Sequence, residues 1–249
     1  MIQTLATVVL NEMIAPAYGR VRLSCDAGVN RARPGQFVML GFPDAVDPLL
    51  RRPFSIHRLI AGENGAAQIE LLYKVVGKAT RRLSQLPAGE RLSLLGPLGR
   101  GFQVPAGTRR LYCVAGGFGV APFVFLAEWL QRQATPPAEL QVFLGGRGKA
   151  DLLCISDFER LGIPVRLTTD DGSCGEQCRV TDPFADALAQ HRPDLVLACG
   201  PSAMLACVLG IVRAHRVPCQ VSVEAMMACG MGACWGCGVA DRRDSARYL

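Results

Sequence analysis

The hydrophobic pattern of this 249-residue chain changes character once, across Pro105 to Thr108, and the change splits what the chain can fold into. Upstream, short β-rich runs alternate with turn residues: Leu5 to Leu10, Arg20 to Cys25, Gln36 to Gly41, Phe54 to Leu59, Gln68 to Val76 and Leu92 to Leu95. Strands of that length and spacing, interrupted by one short helix near Thr80 to Gln85, predict an antiparallel barrel. Downstream, each apolar strand is followed by a helical stretch. Leu111 to Ala115 precedes Val120 to Gln133, Leu140 to Leu144 precedes Ile155 to Leu161, Val165 to Thr168 precedes Pro183 to Gln190, and Leu195 to Ala198 precedes Ala203 to His215. Such alternation predicts a parallel sheet with helices on both faces. A final strand near Gln220 to Val223 leads toward a cysteine-rich end. The expected fold class is α+β multidomain, with an antiparallel barrel over residues 1–104, an α/β parallel-sheet domain over 105–217 and a small C-terminal lobe over 218–249.

Composition narrows the setting. Half of the residues are apolar and 19% are charged, the balance of a globular protein. The eleven cysteines are odd in number and sit mostly alone in apolar runs, as at Cys113, Cys199 and Cys207. That is reduced, cytoplasmic usage rather than a disulfide framework. Of the 27 basic residues only Lys74, Lys78 and Lys149 are lysines, and the 24 arginines form no basic block, which argues against a nucleic-acid partner. Asn11 and Glu12 break the N-terminal apolar run, so no signal peptide is expected. Leu111 to Ala127 is uncharged for seventeen residues, but it holds Gly116, Gly117, Gly119 and Pro122 and is short for a bilayer. A buried strand, glycine turn and buried helix explain it, and no membrane span is expected.

Near the C-terminus, Cys229, Cys234 and Cys237 are spaced C-x4-C-x2-C, the plant-type [2Fe-2S] ligand spacing. One loop must offer thiolates to two irons while its N–H groups face the sulfurs, and Gly230, Gly232 and Gly236 give the backbone that freedom. A zinc knuckle would more naturally show two C-x2-C pairs, and glycines between the cysteines are poor material for inert buried thiols. Plant-type patterns place a fourth cysteine well downstream, yet Gly238 to Leu249 contain none. Three explanations stand: a longer natural chain, recruitment of Cys219, or a degenerate site.

Two further stretches suit phosphates and a flat heterocycle. In Arg51-Arg52-Pro53-Phe54-Ser55 a strand can aim Arg52 at a diphosphate while Phe54 and Ser55 present a ring and a hydroxyl. In Tyr73 to Thr80 a strand ends in Gly77 and a helix opens through Lys78 toward Thr80, leaving N–H groups for an anion. Together they point to a flavin in the barrel. Gly116-Gly117-Phe118-Gly119 follows a buried strand and opens a helix, the context of a dinucleotide-binding turn without the strict G-x-G-x-x-G fingerprint. Cys199-Gly200-Pro201 ends another parallel strand at the edge where ligands of open sheets bind. Asp170-Asp171-Gly172 ends a third, as a ribose contact or a solvated turn. Gly96 to Phe102 makes a turn at the domain junction, and His57, His191 and His215 show no ligand spacing.

These stretches together resemble the ferredoxin reductase superfamily and, within it, the electron transfer subunits of bacterial NAD-dependent dihydroorotate dehydrogenases. The resemblance spans essentially the whole chain, and the run from Met227 to Cys237 is its most specific part. It implies that Arg52 holds the FAD diphosphate, that Phe54 takes the stacking position beside Pro53, and that Ser55 lies near flavin N5. Gly77, Lys78 and Thr80 match a second phosphate-binding stretch, with Ala79 where glycine is common; Gly116, Gly117 and Gly119 would bind NAD, and Cys199 and Gly200 would border the nicotinamide. The implied reaction is a relay in pyrimidine biosynthesis. An FMN-containing partner subunit oxidises dihydroorotate, electrons pass singly through the cluster to FAD, and a hydride goes to NAD⁺. A hetero-oligomer is implied, with no protein acid or base as a catalytic residue. Arg147 and Lys149 suit a 2′-phosphate, but the resemblance favours NAD(H). One alternative is an FAD and [2Fe-2S] NAD(P)H reductase subunit of a sulfite reductase, hydrogenase or bifurcating complex, whose loops tend to carry Lys and His where Ala228 and Gly236 stand here. Another is a redox-sensing or metal-binding module without turnover.

Overall fold

A computed structural model describes residues 1–25, 27–43, 45–62, 66–240 and 246–248. The chain forms two compact units, one built from Met1–Gly101 together with Ala225–Leu249, the other from Phe102–Glu224.

In the first unit six antiparallel strands close a barrel. They are β1 (Ile2–Ala15), β2 (Tyr18–Cys25), β3 (Phe37–Gly41), β4 (Arg52–Ala61), β5 (Ala67–Lys74) and β6 (Arg91–Leu98), in the order β1-β2-β5-β4-β3-β6. Strand β1 outruns its expected span because it serves two neighbours: Ile2 to Thr7 pair with β6 and Thr7 to Ala15 with β2. The polar residues that break its apolar run have partners. Asn11 donates through Nδ2 to the carbonyls of Leu83 (2.8 Å) and Leu86 (2.9 Å), at the end of helix α1 (Lys78–Ser84), and Glu12 pairs with Arg20. Val21, Leu23, Val38, Ile56, Ile69 and Leu71 are fully buried, each stabilising the barrel by roughly 1.5–3 kcal/mol. A short antiparallel pair, β12 (Gly238–Ala240) with β13 (Ala246–Tyr248), follows the cysteine loop and was not expected from the sequence.

The second unit is a parallel five-stranded sheet. Strands β7 (Arg110–Gly116), β8 (Glu139–Gly146), β9 (Val165–Thr169), β10 (Leu195–Cys199) and β11 (Cys219–Ser222) take the order β11-β10-β7-β8-β9. Their helices are α2 (Ala121–Gln131), α3 (Ile155–Arg160), α4 (Thr181–Gln190) and α5 (Ser202–Ala214). Helices α4 and α5 bury Phe184, Leu188, Leu205, Val208 and Val212 against Tyr112, Val114, Phe143 and Val196. Strand alternation turns Leu111, Cys113 and Ala115 to the other face. Helix α2 buries Phe123, Phe125, Leu126 and Leu130, and Pro122 sits in its first turn, where a missing N–H costs nothing. Among the described residues no helix is long and apolar enough to cross a membrane.

The strand order sets where a ligand can enter. From β7 the chain steps outward to β8 and β9, then returns to β10 on the opposite side. The reversal opens a crevice at the carboxyl ends of β7 and β10, where open parallel sheets bind ligands.

Candidate functional site

At that crevice the two glycine motifs meet. Cys199 of β10 stands in register with Ala115 of β7, which brings the turns that follow both strands together. A Cβ on Gly119 would lie 2.2 Å from the Cys199 carbonyl oxygen and 2.8 Å from the Gly200 nitrogen, both rigid backbone. Only glycine permits this approach. A Cβ on Gly116 would lie 2.7 Å from side-chain atoms of Pro201 and of Met204, and Gly200 has a φ of +155°. Gly117 (φ +50°) faces open space. Cys199 is buried and its thiol is pushed up to about 11, by desolvation first, so it is a packed neutral group rather than a nucleophile. Ser222 of β11 stands in register beside it, and its hydrogen bond pulls that thiol the other way. Sequence reasoning missed Ser222; the signal was its place near the end of the last parallel strand.

The barrel motif lies on β4. Arg52 pairs across the sheet with Leu40, Phe54 with Val38 and Ser55 with Phe37. Arg52 and Ser55 are half-buried, Pro53 is exposed, and Phe54 is the most enclosed of the four at 9% exposure. Arg52 Nη1 donates to the carbonyls of Leu50 and Arg51, so the guanidinium lies over the loop entering the strand. At α1, Thr80 closes the first turn: its Oγ1 accepts the N–H of Val76 (2.9 Å) and of Gly77 (3.1 Å). A Cβ on Gly77 would meet nothing within 4 Å, so there is room above the helix start. Lys78 Nζ lies 2.8 Å from Asp47 Oδ2, and that contact raises the lysine pKa. Thr80→Val is expected to destabilise the unit by about 1–2 kcal/mol, because two backbone donors lose their acceptor. Urea unfolding checks this, and an unchanged midpoint would show that the cap contributes nothing.

The cysteine loop belongs to the same unit as the barrel. Cys229 Sγ accepts the N–H of Met231 and of Cys234, each at 3.4 Å. These donors hold its thiol down at about 6, the Cys234 N–H contributing most. Positive φ at Gly230, Gly232 and Trp235 makes the wrap. Cys234 is exposed and Cys237 buried. Gly230 fits flush on the barrel, where a Cβ would lie 2.6 Å from Met39 Cγ and 3.2 Å from Leu98 Cδ1. Met227 packs on the same cluster of Met39, Leu95 and Leu98. Cys219, by contrast, opens β11, packs against the sheet core and has its thiol raised to about 11 by burial.

A closed antiparallel barrel, a parallel sheet with a glycine crevice and a cysteine loop together define a flavoprotein-reductase-type oxidoreductase. Residues 113–209 match the oxidoreductase NAD-binding domain family. The chain is 37% identical to the dihydroorotate dehydrogenase B (NAD(+)), electron transfer subunit, of Desulforamulus reducens, over 94% of this chain and 87% of that protein. It is 35% identical to the subunit of the same name from Enterococcus faecalis V583, again over 94% and 87%. Among solved structures, the NADH-dependent reduced ferredoxin-NADP oxidoreductase studied for flavin-based electron bifurcation superposes with a TM-score of 0.81 at 26% identity, covering 98% of this chain and 85% of that one. The ferredoxin reductase of carbazole 1,9a-dioxygenase shares the fold at a TM-score of 0.74 and 21% identity, over 89% and 69%. The chain belongs to the family of dihydroorotate dehydrogenase B (NAD(+)) electron transfer subunits.

Proposed function

We propose that the chain carries electrons between a dihydroorotate-oxidising, FMN-containing partner subunit and NAD⁺ in the cytoplasm, as one member of a hetero-oligomer. The observation that carries this reading is the cysteine loop: N–H groups already converge on Cys229 Sγ, and the loop is seated on the barrel through Gly230. A thiol held at about 6 suits a thiolate ligand. Cys229, Cys234 and Cys237 would supply three ligands of a [2Fe-2S] cluster; the half-buried Cys219, its thiol raised by desolvation, is a poor candidate for the fourth. The room over Gly77, beside Thr80 and Lys78, suits the phosphates of FAD, with Arg52 on the diphosphate and Pro53, Phe54 and Ser55 along the ring. The crevice of Gly116, Gly117, Gly119, Cys199 and Gly200 suits a dinucleotide, whose pyrophosphate needs close backbone. In functional terms the division is residues 1–104 for FAD, 105–217 for NAD and 218–249 for the cluster.

FAD bound there would supply a carrier able to take single electrons from the cluster and give a hydride to the nicotinamide. The protein's part is positional. Arg52 neutralises the diphosphate, the glycine turns admit the dinucleotide without a side chain between, and the N–H groups at Cys229 stabilise negative sulfur.

Arg52→Ala is expected to weaken FAD binding about 10- to 100-fold, the loss of a charge-assisted hydrogen bond of about 1.5–3 kcal/mol. Flavin retention on gel filtration checks this, and unchanged stoichiometric FAD would remove Arg52 from the site. For the function as a whole, the chain is co-purified with its native partner and assayed for dihydroorotate-dependent NAD⁺ reduction. Bound FAD, iron and sulfide with that activity support the reading. Zinc alone, without flavin, would overturn it.

A further inference from the structure

The end of β8 reads as Gly145-Gly146-Arg147-Gly148-Lys149, two cations and no acid. Taken alone, such a strand end invites a phosphate. The structure supplies an acid from the next strand. Gly146 of β8 stands in register with Thr169 of β9, so the residues after Thr169 rise against the β8 turn. The Asp170 N–H donates to the Gly146 carbonyl and the Asp171 N–H to the Arg147 carbonyl, both at 3.1 Å. The Lys149 N–H donates to Ser173 Oγ at 2.8 Å, which stitches the two turns together by side chain as well as backbone.

The Asp171 carboxylate is thereby fixed against the turn. Its Oδ1 accepts the Ser173 N–H at 2.9 Å and the Ser173 hydroxyl at 2.6 Å. Its Oδ2 lies 2.4 Å from where a Cβ on Gly148 would sit. Position 148 therefore has to lack a side chain for Asp171 to reach it. A second carboxylate, Asp151, accepts the Arg147 N–H at 3.3 Å through Oδ2. The cationic heads of Arg147 and Lys149 hang on long exposed stems, whereas the Asp171 carboxylate accepts two hydrogen bonds from Ser173 and its backbone N–H is tied to the Arg147 carbonyl.

We propose that Asp171, delivered to the end of β8 by the neighbouring strand, selects a nicotinamide dinucleotide with a free 2′-hydroxyl and excludes one carrying a 2′-phosphate. The inference rests on the dinucleotide reading of the glycine crevice. A dinucleotide whose pyrophosphate lies at the β7–α2 turn extends its adenosine along the carboxyl edge toward the next strand out, which is β8. There a fixed carboxylate accepts hydrogen bonds from ribose hydroxyls and repels a phosphate dianion. The Ser173 donors hold its pKa below the ordinary carboxylate value, so it stays ionised at neutral pH. The selecting acid belongs to the loop after β9, not to β8 itself, and the β8 sequence alone points to the opposite preference.

The test uses the FAD-loaded chain and two readouts. Stopped-flow flavin reduction gives the ratio of kcat/KM for NADH over NADPH in the wild type, Asp171→Asn and Asp171→Ser. Calorimetry on the same proteins gives the affinities of ADP-ribose and 2′-phospho-ADP-ribose. We expect the wild type to favour NADH and ADP-ribose. Both variants should cut that ratio by about tenfold or more while 2′-phospho-ADP-ribose binds more tightly, since removing one like charge is worth at least a factor of that order. A wild-type preference for NADPH, or ratios that stay within about twofold in both variants while both nucleotides still reduce the flavin, would overturn the assignment and leave the dinucleotide site standing. If the wild-type flavin is reduced by neither nucleotide and neither ADP-ribose binds, the dinucleotide reading itself falls, and the assignment with it.

Discussion

Cys234→Ser and Cys237→Ser are each expected to abolish the iron signal of the reconstituted chain while FAD stays on the barrel. Cys237 is buried and Cys234 exposed, so the two substitutions disturb packing very differently, yet either removes one of the three proposed cysteine ligands. The effect should exceed the roughly 10- to 100-fold loss that follows removal of an outer-shell partner, because a ligand itself is gone. Anaerobic reconstitution read by the rhombic signal of the reduced cluster, with iron and sulfide counted, measures it. Flavin reduction by NADH in the same sample should persist. A full signal in either variant would take that cysteine out of the ligand set.

Gly119→Ala should damage both the fold and the proposed dinucleotide site. The added Cβ would press on the carbonyl oxygen of Cys199 at 2.2 Å, on its carbon at 2.5 Å and on the nitrogen of Gly200, none of which is the mobile end of a side chain. The turns after β7 and β10 must separate, at a cost of about 3 kcal/mol or more. NADH-dependent flavin reduction should fall further than the loss of folded protein explains, because the separating turns are the ones proposed to hold the dinucleotide. Thermal unfolding beside reduction rates in the same preparation distinguishes the two losses. A variant with wild-type stability and rate would show that the crevice is looser than its geometry.

Much of this was legible in the residues, for reasons that differ by element. The β-branched and leucine-rich runs of the barrel and the strand-helix alternation after Arg110 are local patterns, and local patterns survive without knowledge of partners. Pairing does not. Nothing in Ile2 to Ala15 says that its two halves serve different neighbours, and nothing in Phe37 to Gly41 says that it lies between β4 and β6. The site divides the same way. Gly116-Gly117-Phe118-Gly119 and the cysteine spacing announce themselves because their chemistry is contiguous. The seat of Gly230 on Met39 and Leu98, the capping of α1 by Asn11 and the reach of Asp171 to Gly148 are contacts between distant stretches. Thr80 lay between the two cases. Sequence marked it as the opening of a helix, but only the geometry shows its hydroxyl accepting the N–H groups of Val76 and Gly77.

One feature of chain order bears on how such a molecule is made. The barrel unit is discontinuous: it leaves off at Gly101 and resumes at Ala225, with the entire parallel sheet synthesised in between. A ribosome therefore delivers six barrel strands first, and the apolar patch of Met39, Leu95 and Leu98 waits for its cover, Met227 and Gly230, through the translation of a whole second unit. At about 5–20 residues per second that interval lasts on the order of ten seconds. During it the nascent barrel presents bare hydrophobic surface at the place where the cysteine loop will later sit, which makes the seating of that loop a late event in folding and leaves a fragment ending near Gly101 prone to aggregate.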